Sequence, residues 1–244
     1  MKKIGVILLS GGLDSTLVAT QATKGGYELI AITLHYGQTH SKEIDAASKI
    51  AEKLGLIHRI IDVSFFKDLA WYSALTSPDR FAVPPDRDVE EMAASIPVTY
   101  VPLRNTFFMT MAAAFLESEV LYYIEEEGGD PTQIEAALFI AANAIDYSGY
   151  PDCRPEFYES VSETLKLGSK LGTQYGVTFD VQTPLLDLSK ADIAKLSIDI
   201  NAPTELTWSC YLGGETPCGT CDSCVLRQRG FEEAGLDDPA LPIK

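Results

Sequence analysis

The chain has 244 residues, 46% hydrophobic and 22% charged, ordinary values for a globular α/β domain that exclude intrinsic disorder and a coiled coil. Lys and Arg number 19 against 35 Asp and Glu, and the net charge of −16 speaks against DNA or RNA as the main partner, since no phosphate-neutralising surface is available. No apolar run approaches the roughly 18 residues of a membrane span, so no membrane partner is expected.

The order of elements begins with residues 4–9, a short continuously apolar run that reads as a buried parallel strand. Lys2-Lys3 ahead of it imitate a secretory leader only faintly, because the run is six residues long and meets Ser10-Gly11-Gly12. A cytoplasmic location is the expectation.

The turn Ser10-Gly11-Gly12-Leu13-Asp14-Ser15-Thr16 follows, then a helix over 14–24 closed by Gly25-Gly26. Gly11 and Gly12 let backbone approach a ligand closely, and the helix N-terminus offers N–H donors to an anion. The turn is neither a Walker A loop nor a dinucleotide loop, since Gly-Lys and G-x-G-x-x-G are both missing. Asp14 would repel bare phosphate, which suggests Mg²⁺ bridging or a positioning role. A plain turn capped by Asp14 and Ser15 is the bland alternative.

A strand over 27–35, a helix over 41–55 with Ile44, Ala47, Ile50, Ala51 and Leu54 on one face, and a strand over 58–63 continue the alternation. Such alternation predicts a doubly wound, mostly parallel sheet. Residues 64–96, with Pro78, Pro84 and Pro85, read as an irregular excursion. A strand over 98–102 and a helix over 105–117 come next, then a solvated acidic turn at Glu125 to Pro131 and a strand over 137–142. Residues 157–171 have helical period and 178–183 are extended. Ser189-Lys-Ala-Asp192 resembles a capping box opening a helix that carries Ile193, Leu196 and Ile200. Two units are expected: an α/β nucleotide-binding domain over 1–200 and a cysteine-bearing segment over 201–244.

Of the five cysteines, four lie between Cys210 and Cys224, which suits a metal site in a reducing compartment better than a disulfide framework. Cys210, Cys218, Cys221 and Cys224, punctuated by Gly213, Gly214, Pro217 and Gly219, can wrap one tetrahedral Zn²⁺. Four thiolates leave no open position, so the metal would be structural. An iron–sulfur cluster is the competing reading. A third polar segment spans 143–157, at the carboxyl end of a predicted strand, where open α/β sheets place ligands. It concentrates Asp146, Tyr147, Asp152, Arg154 and Phe157 beside the thiol of Cys153, which reads as buried and inert.

The Ser10–Ser15 turn resembles the S-G-G-x-D-S motif of the PP-loop ATP pyrophosphatases, which adenylate a substrate and release pyrophosphate. Other pieces resemble the 7-cyano-7-deazaguanine synthase (QueC) family within that superfamily. They are Tyr36-Gly37-Gln38 with His40 and Glu43, Val101-Pro102 with Arg104-Asn105, the Asp146–Phe157 segment, Thr183-Pro184-Leu185 with Ser189-Lys190, and the cysteines through Leu226-Arg227. The acidic stretch over 121–135 looks longer than that family's usual link.

The resemblance implies a PP-loop fold that binds ATP through Leu8, Leu9, Ser10, Gly11, Gly12, Leu13, Asp14, Ser15, Thr16, Leu17 and Val18, with Mg²⁺ accompanying the nucleotide. It implies 7-carboxy-7-deazaguanine and ammonia as partners, a nitrile as product, and Asp14, Ser15, Arg104 and Asp146 as the reacting set. Arg104 and Arg154 are candidates for a carboxylate or phosphate, which guanidinium matches bidentately. Asp146 or Asp152 would read a guanine-like edge, and Tyr147 or Phe157 would stack on the ring. His40 and Glu43 are expected to bind or to support structure. A homodimer is compatible with the chain. The alternatives are a PP-loop enzyme acting on tRNA, such as a thiolase or lysidine synthetase, and a non-catalytic zinc module.

Overall fold

The computed structural model describes residues 1–38, 40–86, 96–143 and 150–241. The expected site residues Asp146 and Tyr147 lie outside the described residues. In chain order the elements are β1 (Lys2–Leu8), α1 (Leu13–Lys24), β2 (Glu28–His35), α2 (Lys42–Leu54), β3 (Ile57–Asp62), the single turn α3 (Phe66–Leu69), α4 (Arg104–Glu125), β4 (Ile134–Phe139), α5 (Pro155–Gly168), α6 (Lys170–Tyr175), β5 (Phe179–Gln182), α7 (Lys190–Asp199) and α8 (Asp222–Ala234). All four pairings are parallel and the strand order is β3-β2-β1-β4-β5.

The apolar runs read as strands are apolar because both faces of the sheet are covered. Successive residues point to opposite faces, so Ile4, Val6, Ile30, Ile32, Ala136 and Leu138 join one buried cluster with Met109, Ala112, Leu116 and Val120 of α4. Ile7, Leu9, Leu29, Ala31, Ala137 and Phe139 join the other, with Leu17 and Val18 of α1, Ala47 and Ile50 of α2, Ile193 of α7 and Phe231 of α8. Phe231 thus ties the segment beyond residue 200 into the same core as the nucleotide-type loop. The sheet is doubly wound, as expected.

Three expectations fail, one of them the helix over 157–171, which breaks at Ser169 into α5 and α6. Residues 98–102 form turns and not a strand: Pro97 and Pro102 flank the run, and Thr99 is buried with its hydroxyl 3.0 Å from that of Tyr150. The helix expected to end near 117 continues to Glu125. Among the described residues α4 is also long and apolar enough to cross a membrane, with mean hydropathy 1.3. In this fold it lays Met109, Ala112, Ala113, Leu116 and Val120 against the sheet, which accounts for its apolar character.

Because β1 is bracketed by β2 and β4, the connections leaving β1 and β4 diverge to opposite faces of the sheet and open a crevice at the carboxyl ends of those strands.

Candidate active site

That crevice holds a cavity of about 350 Å³, lined by the β1–α1 loop, the first turns of α2 and α4, residues 140–143 after β4, residues 150–153, Lys190, and the chain around Trp208, Ser209 and Arg227.

The β1–α1 loop is shaped by Gly11, whose φ is +84°. A side chain there would meet the Glu43 carbonyl oxygen at 2.2 Å and the Ala47 amide nitrogen at 2.8 Å, so only glycine lets the loop seat directly on α2. Ser10 and Ser15 face each other with hydroxyl oxygens 3.0 Å apart, and the Ser10 amide donates to Ser15 Oγ at 3.2 Å. The Thr16 hydroxyl donates to the Gly12 carbonyl at 2.8 Å. Gly12 is the N-cap of α1, and no side chain caps the helix. A plain capped turn is therefore not what forms: the Gly12 amide donates to Ser10 Oγ at 3.3 Å, and the following amides at the N-terminus of α1 reach the cavity with no side-chain cap.

Asp14 points elsewhere. Its carboxylate accepts from Lys190 Nζ at 2.5 Å, and both side chains are mostly shielded from water. Lys190, the first residue of α7, is held by the Ser189–Asp192 capping box, in which each side chain accepts or donates across the first turn. Asp14 is thus already neutralised by an ammonium, and its proximity to phosphate does not of itself demand a bridging cation.

Across the cavity, Arg104 at the start of α4 donates to the Tyr36 hydroxyl. Asp152 is 7% exposed and accepts the backbone N–H of Asn105, tying residues 151–153 to the first turn of α4. Burial raises the Asp152 carboxyl above its ordinary value, opposed by the Arg104 charge and by those N–H donors. Burial also lifts Cys153 to about 12, consistent with an inert thiol. Tyr158 donates to the Asp152 carbonyl at 2.7 Å and fixes this corner.

Glu43 sits in the first turn of α2 and lines the same cavity; burial raises it to about 7, opposed by Arg104. His40 lines it too, with a buried Nδ1 that has no partner among the described residues.

The expected residues divide into three sets. Leu8, Leu9, Ser10, Gly12, Leu13, Asp14, Ser15, Arg104 and Asp152 line the cavity. Thr16, Leu17 and Val18 are buried behind the loop as core. Arg154 is exposed and does not line the cavity, while Phe157 packs half-buried against the α4 side of the core. Lys190, Trp208 and Arg227 were not among the expected contacts. Lys190 and Arg227 carry the family resemblance in sequence, but only tertiary position brings all three to the cavity, since they lie more than 170 residues beyond the loop they join.

The four-cysteine segment forms the remaining wall. One sulfur from each of Cys210, Cys218, Cys221 and Cys224 lies within 4.8 Å of the others. Amide groups of Leu212 and Cys218 donate to Cys210 Sγ at 3.4 and 3.3 Å, and those of Thr220 and Cys221 to Cys218 Sγ at 3.4 and 3.3 Å. Such donors favour thiolates, the form that binds metal. The donor set and its spacing fit one closed tetrahedral ion. The Trp208 amide donates to the Gly11 carbonyl at 2.9 Å, joining this segment to the loop. Arg227 is 9% exposed; it grips Asp238 with two bonds of 2.6 and 2.8 Å and donates to Thr207 and Ser209 at 2.8 and 3.0 Å.

Fold and site together define a doubly wound α/β protein with a nucleotide-type loop at its topological switch point. The family model described as Queuosine biosynthesis protein QueC matches residues 4–235, and the chain belongs to that family. The 7-cyano-7-deazaguanine synthase of Thermoplasma acidophilum is 44% identical over 238 residues, covering 98% of this chain and 91% of that protein. The enzyme of the same name from Syntrophus aciditrophicus is 45% identical over 242 residues, covering 98% and 97%. Among solved structures, NMN synthetase from Francisella tularensis aligns with 96% of this chain and 72% of its own, at TM-score 0.41 and 18% identity, too slight a likeness to inform the site.

Proposed function

We propose that the protein converts 7-carboxy-7-deazaguanine, ammonia and ATP into 7-cyano-7-deazaguanine, as the names of its relatives suggest. The observation that carries this reading is a single cavity with an uncapped helix N-terminus and the Asp14–Lys190 pair on one side, and Arg104 with Asp152 on the other.

A carboxylate is a poor electrophile, so its oxygen must first leave as AMP. The loop amides of residues 13–15 and Lys190 receive the phosphates, with Mg²⁺ arriving on the nucleotide. Arg104 holds the substrate carboxylate near the α-phosphorus, and buried Asp152 accepts from the guanine-like N1–H and amino edge. Ammonia then displaces AMP to give the amide, and a second adenylation removes the remaining oxygen as the nitrile forms. Cys210, Cys218, Cys221 and Cys224 would hold one structural Zn²⁺ as thiolates, a closed site that would supply no reacting water and would brace the wall around Trp208. Cysteines kept out of disulfides in this arrangement suit the reducing cytoplasm.

The test is turnover with all three substrates. AMP and pyrophosphate should each appear at about two per nitrile, as two oxygens must be activated in turn. ADP with inorganic phosphate would overturn the reading.

A further inference from the structure

We propose that Glu43 is the proton acceptor for the ammonia that attacks the adenylated substrate, an inference that rests on the reaction proposed above. Among the described residues three carboxyls line the cavity. Asp14 is committed to Lys190. Asp152 is committed to the amides of residues 152 and 105 and to the Arg104 charge. Glu43 makes no hydrogen bond or ion pair through its carboxyl to a described residue, yet it is half-buried and lines the same space. A partly desolvated carboxyl with no cation bonded to it among the described residues is a candidate for work at the site.

Its position suits the task. Gly11 brings the nucleotide-type loop onto the backbone of Glu43 itself, so the carboxyl is anchored beside the turn that would hold the phosphates. Arg104 reaches it electrostatically from the far wall, where the substrate carboxylate would sit. The charged and titratable groups lining the same cavity are Asp14 from the loop, Tyr36 and His40 from the β2–α2 connection, Arg104, Asp152, Tyr100, Tyr150 and Cys153 from the opposite wall, Lys190 from α7, and Tyr211 and Arg227 from the C-terminal segment. With its affinity raised to about 7 by burial, the carboxylate is basic enough to accept a proton and is about half ionised at neutral pH.

In the step assigned to it, the ammonia nitrogen forms a bond to the acyl carbon and the bond from that carbon to the AMP oxygen breaks. AMP leaves with the electron pair, and one N–H proton passes to the Glu43 carboxylate. The products are the carboxamide, AMP and protonated Glu43, which releases its proton to solvent. No oxidant or reductant is involved.

The experiment separates activation from attack. Pyrophosphate–ATP exchange dependent on 7-carboxy-7-deazaguanine, measured without ammonia, reads the first adenylation alone. Nitrile formation at fixed free ammonia reads the whole sequence across pH. In Glu43→Gln, exchange should stay within about threefold of wild type while nitrile formation falls by about 100-fold, a usual contribution of a general base. The wild-type rate should rise with pH to a plateau above about 7, and Glu43→Gln should lose that limb. Glu43→Asp, with a shortened base, should keep the limb at a reduced rate. Loss of exchange in proportion to nitrile in Glu43→Gln would overturn the proposal by making Glu43 a binding group, as would near-normal nitrile formation. A wild-type chain showing no substrate-dependent exchange would overturn the reaction itself, and the Glu43 assignment with it.

Discussion

Asp14 and Glu43 line one cavity in opposite electrostatic circumstances. Asp14 has an ammonium at 2.5 Å, and removing it by Asp14→Ala would leave Lys190 misplaced against incoming phosphate. Nitrile formation should drop by about 100-fold or more in a protein that still melts cooperatively, measured by turnover beside circular dichroism. Glu43 binds its proton more tightly folded than unfolded, so the stability it confers is present at acid pH and is lost as pH rises. Relative to wild type, Glu43→Gln should therefore gain stability steadily between about pH 4.5 and about 7 and level off above, as urea midpoints would show. The Asp14 turn was legible because its residues are consecutive. The Lys190 that completes it comes from 176 positions away, and neither spacing nor composition could join the two. Arg154 failed as a contact for a related reason: adjacency to Asp152 in sequence says nothing about which way a side chain leaves a tight turn such as Pro151–Cys153.

At the level of elements, hydrophobic period located the covered strands and the amphipathic helix α2 well, because burial imposes the period. It misjudged residues 98–102, where β-forming Val, Thr and Tyr are overruled by flanking prolines and by the Thr99–Tyr150 contact. α4 outran its expected end because the residues after Glu117 still bury Val120 and Ile124 on the core side. Truncating fully buried Leu116 to Ala should cost about 2–5 kcal/mol in chemical denaturation without altering the catalytic residues. The capping box at α7 has a subtler reach. Ser189→Ala should cost about 1 kcal/mol. Because Lys190 is the next residue, it should also raise KM for ATP, whereas Leu116→Ala should leave that constant alone.

For the molecule as a whole, two covered faces and one crevice explain how a single domain-sized core carries both a nucleotide-type loop and a metal-type cluster. The cluster is not an appendage: Phe231 is core, and Arg227 clamps Asp238 to the turn that lines the cavity. Replacing Cys210, Cys218, Cys221 or Cys224 by Ser should release the metal and lower the melting temperature, since such ions contribute on the order of 10 kcal/mol to folding their loops. Cys153→Ser should retain metal, as elemental analysis of the purified variants would reveal; one zinc and no visible absorbance is the expected wild-type result. The cysteine spacing made this cluster readable in advance, but its contact with the loop was not readable.

That contact, the Trp208 amide on the Gly11 carbonyl, sets an order of events during synthesis. Gly11 is polymerised 197 residues before its partner. At ordinary elongation rates the interval is about 10–40 s. Through it, the residues of β1 and α1 have been made while the turn between them lacks the bond that holds its carbonyl. A nascent chain therefore has its nucleotide grip finished last, by the same stretch that carries the thiols. A copy cut short before Trp208 would keep the loop sequence but not its closure. Ribosome-bound or truncated copies should thus be unable to spend ATP on unproductive adenylation.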